Sequence, residues 1–199
     1  IATTGGLFSE IPSLILNVGE VQAEESFVWW KETFGDHFYA ELNRHGLEEE
    51  QVVNETLLRF CKKHSVRYLA ANSSYYTQKK QAEAHDILLC VKDAQNVRKP
   101  KKYIGKRGRE FRFGMPNSEW YVKSPAEMRK LFADLPEALA LTSEIAEGCE
   151  SYELERNVLL PAFDIPTEFV DVKDSEDGGK RGENAFLRHL TYLGAAERY

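Results

Sequence analysis

HFYAELNRHGLEEEQVVNETLLRFCKKHSVRYLAANSS, residues 37–74, changes its hydrophobic period twice. His37-Phe-Tyr-Ala-Glu-Leu42 packs aromatic and apolar residues into a short run that stops at Asn43-Arg44-His45-Gly46, which predicts a strand and a turn. From Glu48 to His64 the positions Val52, Val53, Thr56, Leu57 and Phe60 recur three and four apart with charges on the other face, which predicts a helix. Val66-Arg-Tyr-Leu-Ala-Ala71 then reads as a strand ended by Asn72-Ser73-Ser74. Strand, helix, strand and helix with connections this short produce parallel strands with helices packed outside, so the expected class is α/β.

Working toward the amino terminus, Ile1 to Thr4 is a short β-branched run broken by Gly5-Gly6. Ser9-Glu10-Ile11-Pro12 opens a helical stretch through Val18, and a second helix is expected over Val21 to Phe34, with Val21, Phe27, Trp30 and Phe34 on one face. Toward the carboxyl terminus, Gln78 to Val91 predicts a helix with Ala82, His85, Leu88, Leu89 and Val91 inward. The basic, Gly/Pro-punctuated stretch from Arg98 to Arg112 predicts a long loop with one short hairpin at most. Ser124 with Glu127 three residues later fits a capping box, and Pro136 sits in the first turn of another helix. Leu159-Leu160-Pro161-Ala162-Phe163 is expected to close the compact part. The expected organisation is one domain over residues 1–165, an acidic linker over 166–183, and a helix over 184–199 with Phe186, Leu187, Leu190 and Leu193 on one face.

Apolar content of 42% and aromatic content of 12% suit a packed core, and a formal charge of −6 disfavours a dedicated nucleic-acid module. Cys61, Cys90 and Cys149 are far apart and form no C-x-x-C pattern, so buried free thiols in a reducing, cytoplasmic setting are expected rather than disulfides or zinc. No apolar run approaches the ~20 residues that span a bilayer, so no membrane partner is expected. A chain that opens at Ile1, without Met, directly into Ile-Ala-Thr-Thr-Gly-Gly reads as part of something longer. No Gly-rich phosphate loop, G-x-S-x-G elbow or H-E-x-x-H helix is present. The strongest nucleic-acid signal is the cationic set Arg98, Lys99, Lys101, Lys102, Lys106, Arg107, Arg109 and Arg112, interleaved with Tyr103, Phe111 and Phe113; the plainer reading is a solvated loop.

Several strings resemble, in order and spacing, the alpha subunits of bacterial DNA polymerase III over nearly the whole chain. They are Phe38-Tyr-Ala-Glu-Leu42 before Asn43-Arg44-His45-Gly46, Leu69-Ala-Ala-Asn72, Glu83-Ala84-His85-Asp86, Tyr121-Val122-Lys123-Ser124 leading to Glu127-Met128, Leu131 through Leu139, Thr142 through Ala146, and Leu159 through Phe163. The resemblance implies the later part of a PHP-type distorted (β/α)7 barrel followed by helices leading toward the polymerase palm. It implies a parent that performs template-directed DNA synthesis with Mg, while the chain itself holds no catalytic residue and no cofactor. The implied partners are the rest of the alpha subunit, the epsilon proofreading subunit, the sliding clamp and other replicase subunits, and DNA through the parent. A barrel cut before Ile1 leaves strand edges open, and self-association is the expected way to cover them.

Active-type members of that family bind divalent metals, with Cys where this chain has Gly6 and Asp-x-His where it has Ser73 and Tyr75. Gly6 offers no ligand, and the neutral Ser73 and Tyr75 are poor substitutes, so the resemblance implies a degenerate metal site. Glu41, His45 and His85 are the residual metal candidates. Their plainer readings are a solvated or paired carboxylate for Glu41, a turn-stabilising hydrogen bond for His45 and a half-buried, hydrogen-bonded side chain for His85. The competing reading is a metal-dependent PHP phosphoesterase or a 3′–5′ proofreading exonuclease.

Overall fold

A computed structural model describes residues 1–151 and 163–199, which divide into two units, Ile1–Glu150 and Ser151–Tyr199. Of the expected closing segment, Leu159 to Phe163, all but Phe163 lies outside the described residues. In the first unit, strands β1 (Ala2–Thr3), β2 (Phe38–Asn43) and β3 (Arg67–Ala71) form a parallel sheet in the order β1-β2-β3. Ala2 lies opposite Phe38, and Tyr39 through Asn43 run opposite Arg67 through Ala71. Helices α1 (Glu10–Asn17) and α2 (Glu20–Phe34) connect the first two strands, and α3 (Glu48–His64) connects the second to the third. The expected α/β class is what forms.

The α3 boundaries follow from charge and backbone chemistry. Glu48, Glu49 and Glu50 occupy its first turn and Lys62, Lys63 and His64 its last, each sign matched to the local end of the helix dipole. Ser65 then takes the left-handed conformation that stops the helix, and Val66 N–H closes onto the Cys61 carbonyl. The inner face of α3, with Val53, Leu57 and Phe60, lies in one apolar core with Phe27 of α2 and Phe38, Ala40 and Leu42 of β2. Phe27 is fully buried, with the Phe38 and Phe60 rings 5.2 and 5.5 Å away.

Helices α4 (Ala82–Lys92), α5 (Pro125–Leu131) and α6 (Pro136–Glu147) complete this unit. Ser124 caps α5 by the expected box: its hydroxyl accepts from Glu127 N–H, and the Glu127 carboxylate accepts from Ser124 N–H at 2.8 Å. Helix α6 covers the far side of β3 with Ala138 and Leu141 buried, and Arg67 and Tyr68 of the strand bond Glu144 and Glu137 of the helix.

Several expectations are corrected. Val21 is 66% exposed; the inward face of α2 is set by Ala23 and Phe27. Leu88 and Val91 of α4 are 63% and 73% exposed, because this helix turns Asp86 and Cys90, four residues apart, toward the protein instead. Cys61 and Cys90 are buried free thiols, with burial pushing the Cys61 thiol up to about 12, but Cys149 is exposed. The basic loop closes through a single bridge between Lys101 and Arg112 that is parallel in sense, which no hairpin produces.

In the second unit, the acidic stretch read as linker contains helix α7 (Val172–Asp177), and the last helix, α8 (Arg181–Arg198), starts three residues before Asn184. Asp171 caps α7 by accepting from Lys173 N–H, Asp174 accepts from Gly182 N–H, and Arg181 pairs with both Asp174 and Asp177. These carboxylates are structural partners, where the sequence pattern suggested solvated charge. Phe163 and Phe169 pack on Phe186, while Leu187, Leu190 and Leu193 of the expected apolar face are exposed. Among the described residues no helix is long and apolar enough to cross a membrane.

Two outcomes follow. Phe27→Ala should cost about 3–5 kcal/mol in urea unfolding, the usual range for removing a buried ring. The Glu127 carboxyl, held down by the hydroxyls of Tyr121 and Ser124 and then by the Ser124 N–H, should titrate at about 2 by NMR, and Tyr121→Phe should move it up toward the ordinary carboxylate range.

Candidate functional site

Parallel strands deliver their outgoing loops to one edge, and a cleft at the carboxyl ends of the strands is the usual place for a site in such sheets. Here that edge holds a concavity of about 210 Å³ lined by residues from every such loop: Gly6 after β1, Asn43 at the end of β2, and Ser73 and Tyr75 after β3, together with Glu50 of α3, Tyr103 and Trp120. The three positions singled out by resemblance, Gly6, Ser73 and Tyr75, therefore converge on one cavity. A β-carbon built on Gly6 meets no atom within 4 Å, so the space beside it is open.

His45 forms the wall behind this cavity and is 1% exposed. Its Nδ1 lies 2.6 Å from Glu50 Oε1, its Nε2 lies 3.1 Å from the Ser73 carbonyl, and its backbone N–H donates to Glu50 Oε2. Both ring nitrogens are thus engaged, Nδ1 by the Glu50 carboxylate and Nε2 by the Ser73 carbonyl. The imidazole stacks on the Trp120 indole with centroids 3.9 Å apart and planes at 5°, and the His45 carbonyl accepts from Asn117 Nδ2. Glu50 was missed by sequence reading because a carboxylate in the first turn of a helix is ordinarily a solvated partner of the dipole. The signal available was its five-residue separation from a turn histidine.

The other metal candidates stand apart. Glu41 accepts from Thr3 Oγ1 and Asn43 Nδ2, both at 2.9 Å, and holds the β1–β2 edge of the sheet. His85 on α4 is half-buried with its ring against Tyr75 and Tyr76. Among the described residues no group of three His, Cys, Asp or Glu side chains is placed to share one ion.

The cationic stretch separates into two kinds of residue. Arg112 is 3% exposed and bonds Asp86 Oδ1 and Oδ2 at 2.7 Å each, with further N–H groups donating to the Lys99, Val97 and Phe113 carbonyls. All five guanidinium donors are thus used internally, and Arg112 is corrected from a nucleic-acid candidate to an anchor for its own loop. Arg98, Lys101, Lys106, Arg107 and Arg109 are exposed, and Lys99 and Lys102 are partly so. Lys101 lies 3.6 Å from Asp86, Lys102 sits over the Phe111 ring and Arg107 over Phe113.

The Arg112 guanidinium, first among the groups acting on it, holds the Asp86 carboxyl below its usual range. A carboxyl lowered in the folded state adds stability above its unfolded value of about 4, and that stability is lost as pH falls through the folded value. Arg112→Ala should therefore cost about 3–5 kcal/mol near neutral pH, as for a broken buried pair, and thermal melts should show a weaker loss of stability on acidification than in the native chain.

No family model matches the chain. It is 37% identical to the DNA polymerase III subunit alpha of Borreliella burgdorferi over 100% of this chain and 15% of that protein. It is 34% identical to the subunit alpha of Thermus aquaticus over 100% of this chain and 15% of that protein, and 31% identical to that of Caulobacter vibrioides over 100% and 16%. The chain thus spans about one sixth of the length of the curated relatives it matches.

Proposed function

Because this chain belongs to the DNA polymerase III alpha-subunit family and corresponds to a segment of its members, we propose that the polypeptide carrying it performs template-directed DNA synthesis in chromosomal replication. The observation that carries this reading is similarity to subunits of that name along the entire chain, rather than at one motif. Within that protein the segment is a structural and interaction region: three strands of a PHP-type distorted (β/α)7 barrel with the helices that follow. Nucleotidyl transfer, with its Mg ions, belongs to other parts of the polypeptide. The rest of the alpha subunit, the epsilon proofreading subunit, the sliding clamp and DNA are the partners this assigns.

The cavity at the strand ends is read as a metal site in degenerate form. Active-type members place metal ligands there; the residues present do not fit that task. Gly6 has no side chain, the Ser73 hydroxyl donates toward Asn43 Oδ1, and both His45 nitrogens are engaged by Glu50 and the Ser73 carbonyl. A His–Glu pair that binds itself and a stacked indole stiffens the loops where ligands would otherwise converge.

The test uses the full-length polypeptide that contains this chain. It should extend a primed single-stranded template with deoxynucleoside triphosphates and Mg, and elemental analysis should find zinc, manganese and iron far below one ion per chain, with no hydrolysis of phosphate monoesters. Stoichiometric metal with phosphoesterase or 3′–5′ exonuclease activity that resists mutation of the polymerase centre would put the competing reading in its place.

A further inference from the structure

The exposed part of the cationic loop, residues 98–109, is held as a fixed platform rather than left as a tail. Its base is closed from inside: Arg112 N–H donates to the Pro100 carbonyl, Lys102 N–H donates to the Arg112 carbonyl, and the Arg112 side chain is locked on Asp86. Tyr103 is buried with its ring 5.0 Å from Trp120 and 5.6 Å from Phe113, which seats the loop on the wall of the strand-end cavity. Gly105 and Gly108, both at positive φ, turn the tip outward. The result is seven cations, Arg98, Lys99, Lys101, Lys102, Lys106, Arg107 and Arg109, on one closed loop of a chain whose formal charge is −6.

Beside the base of this loop, Phe8 is 58% exposed and stands edge-on to Tyr103 at 5.0 Å. Closely spaced cations next to an exposed aromatic ring match nucleic acid, whose phosphates the cations meet and whose bases stack on rings; an acidic protein supplies the first partner only. We propose that loop 98–109 is a contact surface for the phosphodiester backbone of nucleic acid, with Phe8 at its margin. The choice of nucleic acid also accords with the polymerase reading, but the surface is testable without any polymerase activity, so the two fail separately.

The experiment measures binding of fluorescein-labelled single-stranded and duplex oligonucleotides to the full 199-residue chain by anisotropy across a salt series, beside the triple variant Arg98→Ser, Lys106→Ser, Arg109→Ser. These three side chains are exposed and lie outside the loop's Asp86 ion pairs. Loss of three phosphate contacts should flatten the plot of log affinity against log salt by about 2 for a single strand, at ~0.7 for each phosphate. A change seen with the single strand alone, or with both forms, supports the surface and states which form it takes. Independently of any variant, an amine-acylating reagent should label Lys99, Lys101, Lys102 and Lys106 of the native chain less when oligonucleotide is bound. Unchanged binding in the variant together with unchanged labelling, or protection by polyglutamate but not by oligonucleotide, overturns the proposal.

Discussion

One buried side chain ties the strand-end loops together. The His45 imidazole bonds Glu50 at the start of α3 and the Ser73 carbonyl after β3, and lies flat on Trp120, while its own carbonyl holds Asn117. Four segments that the chain brings to this edge are thus fastened through one residue. Burying an imidazole and a carboxylate is costly unless each polar atom has a partner, and here each finds one in the other or in the backbone. The His45 and Glu50 contacts hold the loops at the carboxyl edge in shape, although the Trp120 indole N–H and the Tyr76 hydroxyl are buried without a partner among the described residues.

The same edge explains why geometry and chemistry part company. A parallel sheet directs its outgoing loops to one side whatever their composition, so Gly6, Ser73 and Tyr75 meet at a cavity even though glycine and hydroxyls make poor ligands. The nearest carboxylate, that of Glu50, is directed at His45 rather than left open. Cationic chemistry is displaced to the neighbouring loop, where Arg112 is spent on Asp86 and its neighbours reach solvent. One ion pair thereby decides which arginine supports the loop and which remain available.

Local patterns were read correctly where one residue type has one dominant physical preference. The helix Glu48–His64 has the bounds the sequence predicts because its end charges match its dipole and Val53, Thr56, Leu57 and Phe60 turn inward, although Val52, expected on the same face, is 50% exposed. Ser124 and Glu127 form their box because the two bonds are local to four residues. Patterns failed where an apolar or charged residue had two uses. Leu88 and Val91 look like an inward face until Asp86 is fixed by a residue 26 positions away, which rotates α4 about its axis. Asp171, Asp174 and Asp177 look like a solvated linker until the Lys173 N–H pairs with Asp171 and Arg181 and Gly182 supply partners for the other two.

The sequence by itself determined the α/β class, the alternation of strands and helix over residues 37–71, the Ser124 cap and the family, because these rest on periodicity and on strings of neighbouring residues. Only the tertiary structure decided that Glu50 belongs to His45, that Arg112 is an anchor, and that Gly6, Ser73 and Tyr75 share one cavity. Those facts depend on pairings between residues brought together across turns and helices, and on the cost of burying the His45, Glu50 and Arg112 polar atoms without partners; neither is written in spacing along the chain.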